Sequence, residues 1–204
     1  MRYAEGHKQQ TRERILAAAA RLFREHGIAA VGLAKVMADA GLTVGTFSTH
    51  FASKEALVRE ALAPAFRLRR ADFGDALAGK DLAHAVRVYL SPEHRDLPEG
   101  CCPAPALAAE IGRHPRSTRQ AFAKELAPTI QQLGELLAAR RKAPVDAAEA
   151  SAFFGLLVGT LQLARATADR AASDALLDAG VRTALAVADA MPISHEQKNG
   201  DHHE

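Results

Sequence analysis

Alanine runs such as Ala17-Ala18-Ala19-Ala20 constrain this chain more than any other feature. Alanine is the strongest helix former and a weak strand former. The chain has 204 residues, 48% apolar but only 5% aromatic and without Trp, so the expectation is an all-α protein. Charged residues at 25% beside that apolar share argue against wholesale disorder. The length suits one medium domain, or a small head on a larger body. No unbroken run of roughly 18 apolar residues occurs, so no membrane-spanning segment is expected. The stretch Met1–Lys8 is polar and holds no apolar export core. Cys101 and Cys102 are the only cysteines, too few and too close for a disulfide framework. A cytoplasmic, reducing location is the expectation.

The net charge of +2 is unevenly divided. Residues 1–54 carry eight Lys/Arg against four Asp/Glu, which is +4, and the remainder carries −2. A basic head on a mildly acidic body points to a polyanionic partner for the head. Within it, Ile15, Leu16, Ala19, Leu22 and Phe23 recur at helical intervals from about Lys8 to His26, and Gly27 stands where a left-handed residue closes a helix. A short second helix follows Val31-Gly32, with Leu33, Val36 and Met37 facing inward. Gly41-Leu42 makes a tight turn, and a third helix is expected from Thr43 to about Phe51. Ser53 is a good N-cap for a fourth helix carrying Leu57, Ala61 and Phe66. Further helices are expected at about Asp81–Leu90, Pro103–Arg113, Ser117–Arg141, Asp146–Asp169 and Ser173–Ala190. Ser91–Gly100 is expected to be a loop.

Two short helices around a glycine turn form the pattern of a helix-turn-helix, whose second helix enters the DNA major groove. Ala38 and Ala40 are small where helices approach, and Leu42 and Phe47 are apolar plugs. Thr43, Val44, Gly45, Thr46, Ser48, Thr49 and His50 are left for the outer face. Hydroxyls there can donate to phosphates or base edges, and Val44 can meet a thymine methyl. Lys54 at the start of the fourth helix suits a phosphate, and Lys8 and Arg12 add charge from the first helix.

At these residues the sequence resembles the TetR family of bacterial transcriptional regulators. The matching string runs from Thr11-Arg12-Glu13-Arg14-Ile15-Leu16 through Ala20-Arg21-Leu22-Phe23 and Gly27. It continues through Val36-Met37-Ala38-Asp39-Ala40-Gly41-Leu42-Thr43, Gly45-Thr46-Phe47 and His50-Phe51 to Ser53-Lys54-Glu55-Ala56-Leu57. Val44 stands where the family commonly has Lys, Ser48 where it has Tyr, and Gly32 where it has Thr. Fewer fixed phosphate contacts and a weaker salt dependence are expected from these departures. The resemblance implies a helix-turn-helix head (residues 8–53, motif about 31–50), joined by a long helix to a helical effector-binding and dimerisation body (54–192). A disordered tail (193–204) is expected after it. It further implies a homodimer on double-stranded operator DNA, a repressor released by an effector.

The body can also be read directly. Phe153, Leu157, Thr160, Leu161 and Ala164 form one stripe of the helix after Asp146, yet Phe154, Leu156, Val158 and Leu163 occupy other sides. A helix apolar nearly all round needs cover on more than one side. Gly155 and Gly159 could admit a partner helix or serve packing within the chain. The candidate dimer interface is Phe154, Gly155, Val158, Gly159, Leu177, Val181 and Leu185. Candidate effector-pocket residues are Phe66, Tyr89, Cys101, Cys102, Phe122, Phe153 and Leu157, with Phe73 as a further aromatic. Cys101 and Cys102, at the Gly-Cys-rich start of a body helix, admit three readings. They are apolar fillers, or a reactive thiol activated by a helix N-terminus and Arg95 or Arg113. The third is a metal site with His94 and His114, whose spacing fits no standard site. No metal, cofactor or catalytic residue is expected. The competing functions are a thiol-dependent enzyme pairing Cys101 or Cys102 with His94 or His114, and a helical interaction module without DNA binding.

Overall fold

The computed structural model describes residues 2–77, 79–97 and 102–190, with side chains except those of 2–5 and 68–77. Cys101, the Phe73 side chain and the expected disordered tail lie outside the described residues. Among the described residues every regular element is helical. In order they are α1 (Arg2–His26), α2 (Leu33–Asp39), a 3-10 helix (Val44–Thr49), α3 (Lys54–Leu77) and α4 (Leu82–Tyr89). Then come α5 (Pro92–Asp96), α6 (Pro103–Ile111), α7 (Arg116–Arg141), α8 (Ala147–Ala166) and α9 (Arg170–Asp189).

The helix starts follow side-chain chemistry. Asp81, Asp146 and Asp169 each accept from the amide three residues ahead, His84, Glu149 and Ala172, at 2.7–2.9 Å. Ser53 accepts from the Ala56 amide at 3.1 Å, as expected of an N-cap. The expected loop Ser91–Gly100 begins instead with α5. Ser91 accepts from the His94 amide and Pro92 takes the first helical position, a start signal rather than a breaker. The helix expected from Thr43 is a 3-10 helix (Val44–Thr49). Gly45 and the β-branched Val44, Thr46 and Thr49 are weak α-formers, which favours the tighter turn.

The apolar residues gather into two buried clusters. The first combines Ile15, Leu22 and Phe23 of α1, Val36 and Met37 of α2, and Phe47 and Phe51 with Leu57, Val58, Ala61, Leu62 and Ala65 of α3. It also takes in Leu107 and Ile111 of α6, so the head's core does not close at Ser53. The second lies among α4, α7, α8 and α9, with Leu137, Leu157, Leu161, Leu177 and Ala184 at its centre. Phe122 on α7 packs against both, with its ring 5.5 Å edge-on from that of Phe66. Ala40 is buried at the turn, whereas Ala38 is exposed.

Helix α8 corrects the membrane expectation in one respect. It reaches a mean hydropathy of 1.4 and is long and apolar enough to cross a membrane by length and composition, without an unbroken apolar run. It lies between α7 and α9, with Phe153, Phe154, Leu157, Leu161 and Ala164 buried as in a core helix.

Helices α8 and α9 approach closely at Gly180. A Cβ there would lie 2.3 Å from Thr160 Cγ2 and 3.1 Å from Leu90 Cδ1. Thr160 is itself buried, with its hydroxyl donating to the Leu156 carbonyl at 2.9 Å, so it has little room to yield. Gly180→Ala is therefore expected to destabilise the fold by about 1–3 kcal/mol despite its better helix propensity. Adding Thr160→Ser should recover most of that loss in denaturant melts.

Candidate nucleic-acid interface

The turn between α2 and the 3-10 helix is built from backbone geometry. Gly41 has φ +68°, its amide donates to the Ala38 carbonyl at 2.9 Å, and the Leu42 amide donates to Met37. The Arg14 guanidinium donates to the Ala40 carbonyl and would lie 2.8 Å from any Cβ on Gly41. Phe47 points into the core and stacks on Phe51, with ring centroids 5.8 Å apart. With Phe47 turned in, Thr43, Val44, Gly45, Ser48 and Thr49 are exposed and Thr46 and His50 half-exposed, so one face carries all seven.

On that face the hydroxyls are ordered. Thr43 Oγ1 and Thr46 Oγ1 lie 3.1 Å apart, and Thr49 Oγ1 donates to the Thr46 carbonyl at 2.7 Å. Val44 is 51% exposed, an apolar side chain held out to solvent among hydroxyls. The set can accept or donate to base edges and phosphates and offers a methyl surface to thymine. His50 Nδ1 is buried without a hydrogen-bond partner among the described residues. Burial first, then the charges of Lys8 and Arg12, holds the His50 pKa below its ordinary 6.5.

The basic residues divide differently from the sequence expectation. Arg12 pairs with Glu60 of α3 and lies 4.7 Å over the Phe51 ring, so it braces α1 against α3. Arg21 pairs with Glu25 and Asp39, and Arg24 is 6% exposed. Lys54 donates its Nζ to the Ile28 carbonyl at 2.7 Å, an internal bond where the sequence pointed to a phosphate. Lys8 and Lys35 remain fully exposed on the head. Much of the +4 is thus engaged in holding three helices together.

Residues 15–61 match the family model of the bacterial regulatory proteins, tetR family. Over these residues the chain is similar to the TetR family of regulators. Its fold is similar to a TetR-family transcriptional regulator from Streptomyces coelicolor, SCO4454, at 25% identity over 89% of this chain and 97% of that one, with TM-score 0.63. It is also similar to the reduced form of E. coli NemR, at 21% identity, 85% and 95% coverage and TM-score 0.67. A TetR-family transcriptional regulator from Cytophaga hutchinsonii gives TM-score 0.70 at 20% identity, with 88% and 95% coverage. No curated protein matches the sequence significantly.

The remaining candidates lie in the body. Tyr89, Phe153 and Leu157 are buried in the second cluster, Phe66 is buried against Phe122, and Phe122 and Cys102 are half-buried. Phe154 and Leu177 face the chain's own core, while Val158, Val181 and Leu185 are half-buried at its edge. A Cβ added at Gly155 or Gly159 would meet no atom within 4 Å, so packing within the chain does not require either glycine. Leu163, named from the sequence as apolar on another side of the helix but not as an interface candidate, is 61% exposed and lies one turn beyond Gly159 on the same face. The sequence reading missed Glu110, which no motif marks. His94 Nδ1 lies 2.6 Å from the Tyr89 carbonyl, and its Nε2 accepts from the Cys102 amide at 3.3 Å. His114 sits elsewhere, with Nδ1 3.0 Å from Glu55, so the two histidines do not share a site.

Two outcomes follow for DNA binding. Each phosphate contact contributes about 0.9 to the salt slope, so Lys8→Ala should flatten log K against log[salt] by about 1.8 in a dimer. A phosphate beside His50 would raise its lowered pKa, so binding takes up a proton as pH falls below 6.5. In the free head the same lowered pKa works the opposite way: its share of stability is present above pH 6.5 and is lost as pH falls through the folded value. Operator affinity should therefore rise between pH 7.5 and 6, and His50→Asn should abolish the rise in fluorescence-anisotropy titrations.

Proposed function

We propose that the chain is a homodimeric repressor that binds a palindromic operator through Thr43–His50 and is released by an effector bound in the body. The observation that carries this is the outer face of the 3-10 helix, where Val44 and five polar side chains stand in solvent around a turn fixed by Gly41 and Arg14. The proposed DNA contacts are Thr43, Val44, Gly45, Thr46, Ser48, Thr49, His50 and Lys8. An enzyme or a helical scaffold has no use for such a face. The ring nitrogens of His94 meet the Tyr89 carbonyl and the Cys102 amide.

Dimerisation rests on α8. Ala152, Gly155, Gly159, Leu163 and Ala166 share the side of the helix opposite Phe153, Leu157 and Leu161, and all five are exposed or half-exposed. Small residues at that spacing let a second α8 approach closely, and Leu156 and Val158 flank the strip. The division into a head (8–53) and a body (54–192) belongs to this reading, with the head's core completed by α3 and α6. For release, Cys102 stands immediately before α6, and Phe66 and Phe122 sit where the two cores meet. NemR, a similar structure, is described in a reduced form, and a thiol-reactive effector acting at Cys101 or Cys102 belongs to the same proposal.

Gel shifts on the promoter next to the gene should show sequence-selective retardation, and Thr46→Ala with His50→Ala should remove it. Absence of selective retardation by the wild-type chain sinks the reading. Leu163→Glu is expected to give a monomer in sedimentation and to weaken operator binding by more than about tenfold, because two linked half-sites bind far better than one. Retained induction by electrophiles in a Cys101→Ser, Cys102→Ser variant would exclude the thiol route.

A further inference from the structure

The loop between α1 and α2 is held from outside the head. Glu110, near the end of α6, accepts from the Ile28 amide through Oε1 at 3.0 Å and from the Ala29 amide through Oε2 at 2.8 Å. On the other side of the same segment, Lys54 Nζ donates to the Ile28 carbonyl at 2.7 Å. The Ile28 side chain is 2% exposed in the head's core. Gly27 completes the seat: it has φ +82°, and a Cβ there would lie 2.5 Å from Glu110 Oε1. A two-amide grip by a carboxylate is directional as well as strong, since both oxygens must face both N–H groups.

Helix α6 is fixed at its far end too. Gln162 of α8 donates to the Pro105 carbonyl at 2.8 Å, and the Cys102 amide donates to His94 Nε2. Beside the grip, Glu55 at the start of α3 is bonded to His114 and Thr118 across the α6–α7 corner. A polar route thus runs from α8, along α6 from Pro105 to Glu110, to the loop that sets α1 against α2.

We propose that Glu110 is a positioning residue for operator binding, whose carboxylate holds the 28–29 loop to α6 and so fixes the angle at which each head is presented. This rests on the operator-binding reading above. The α6 strut refers the head to α8, the helix whose open face is the proposed dimer contact, so loss of the grip changes the spacing between heads rather than the recognition surface. Glu110 lies outside Thr43–His50, and its carboxylate grips backbone amides rather than apolar side chains.

The test uses the full-length dimer, wild type against Glu110→Ala and Glu110→Gln. Amide exchange of Ile28 and Ala29 should quicken in Glu110→Ala. Affinity for the operator should fall by about tenfold, the size set by losing charge-assisted hydrogen bonds. Affinity for a single half-site should stay unchanged. Preference for the native operator over one with a base pair inserted at its centre should narrow. Glu110→Gln keeps one carbonyl acceptor of the same length and should recover part of each effect. Unaltered exchange at Ile28 and Ala29, or an unaltered spacing preference, overturns the proposal. Half-site and operator binding falling together would assign Glu110 to head folding instead, which also overturns it. A wild-type chain without sequence-selective binding is a different result, which brings down the operator reading and this proposal with it.

Discussion

A head of about fifty residues cannot bury enough apolar surface to be rigid by itself, and the rest of this structure follows from how that shortage is met. Five apolar residues of α3 and two of α6, Leu107 and Ile111, complete the cluster around Ile15, Phe23 and Met37. The helices that stabilise the recognition surface are therefore the same helices that build the body. Head and body cannot move independently without exposing apolar side chains, which makes the junction a natural place for coupling between two sites. The polar contacts of Glu110, Lys54 and Glu55 lie on the rim of that shared core and give it direction, since burial alone is non-directional. Burial works to raise the Glu55 pKa, but the Thr118 and His114 hydrogen bonds outweigh it and leave it below the ordinary 4.5.

Charge in the head serves two opposed needs. The major groove calls for cations near phosphate, while three short helices at fixed angles call for ion pairs. Arg12 with Glu60, Arg21 with Asp39 and Arg14 on the Ala40 carbonyl meet the second need. Among the described residues, a face of hydroxyls with one exposed valine stays open on the head, together with the exposed Lys8 and Lys35. Such a face favours readout of base edges and thymine methyls over bulk phosphate attraction.

The body shows the same division between packing and an open face. Gly180 is required because α8 and α9 touch there, while Gly155 and Gly159 touch nothing. The three glycines look alike in the sequence. Only the position of each around its helix axis separates a close crossing within the chain from an open surface. The same distinction explains why Phe154 and Leu177, apolar and correctly spaced, are core residues while Leu163 stands in solvent.

Local chemistry was legible in the sequence and long-range pairing was not. The alanine excess, the 3.6-residue periodicity, the Ser53 cap, the left-handed Gly27 and the Gly41 turn pointed to an all-helical chain with a helix-turn-helix at its start. Each of those signals acts over a few residues, so a linear reading contains it. The start of α5 was legible too, in Ser91-Pro92, but its prolines were read as breakers. What the tertiary structure decided was the use of residues whose partners lie far along the chain. Lys54 faces Ile28, Arg12 faces Glu60, and Glu110 holds amides more than eighty residues away. A charged side chain with a long reach is the same letter whether it meets a phosphate, a carboxylate or a backbone carbonyl. The fold chooses among these by placing one of them within hydrogen-bond distance.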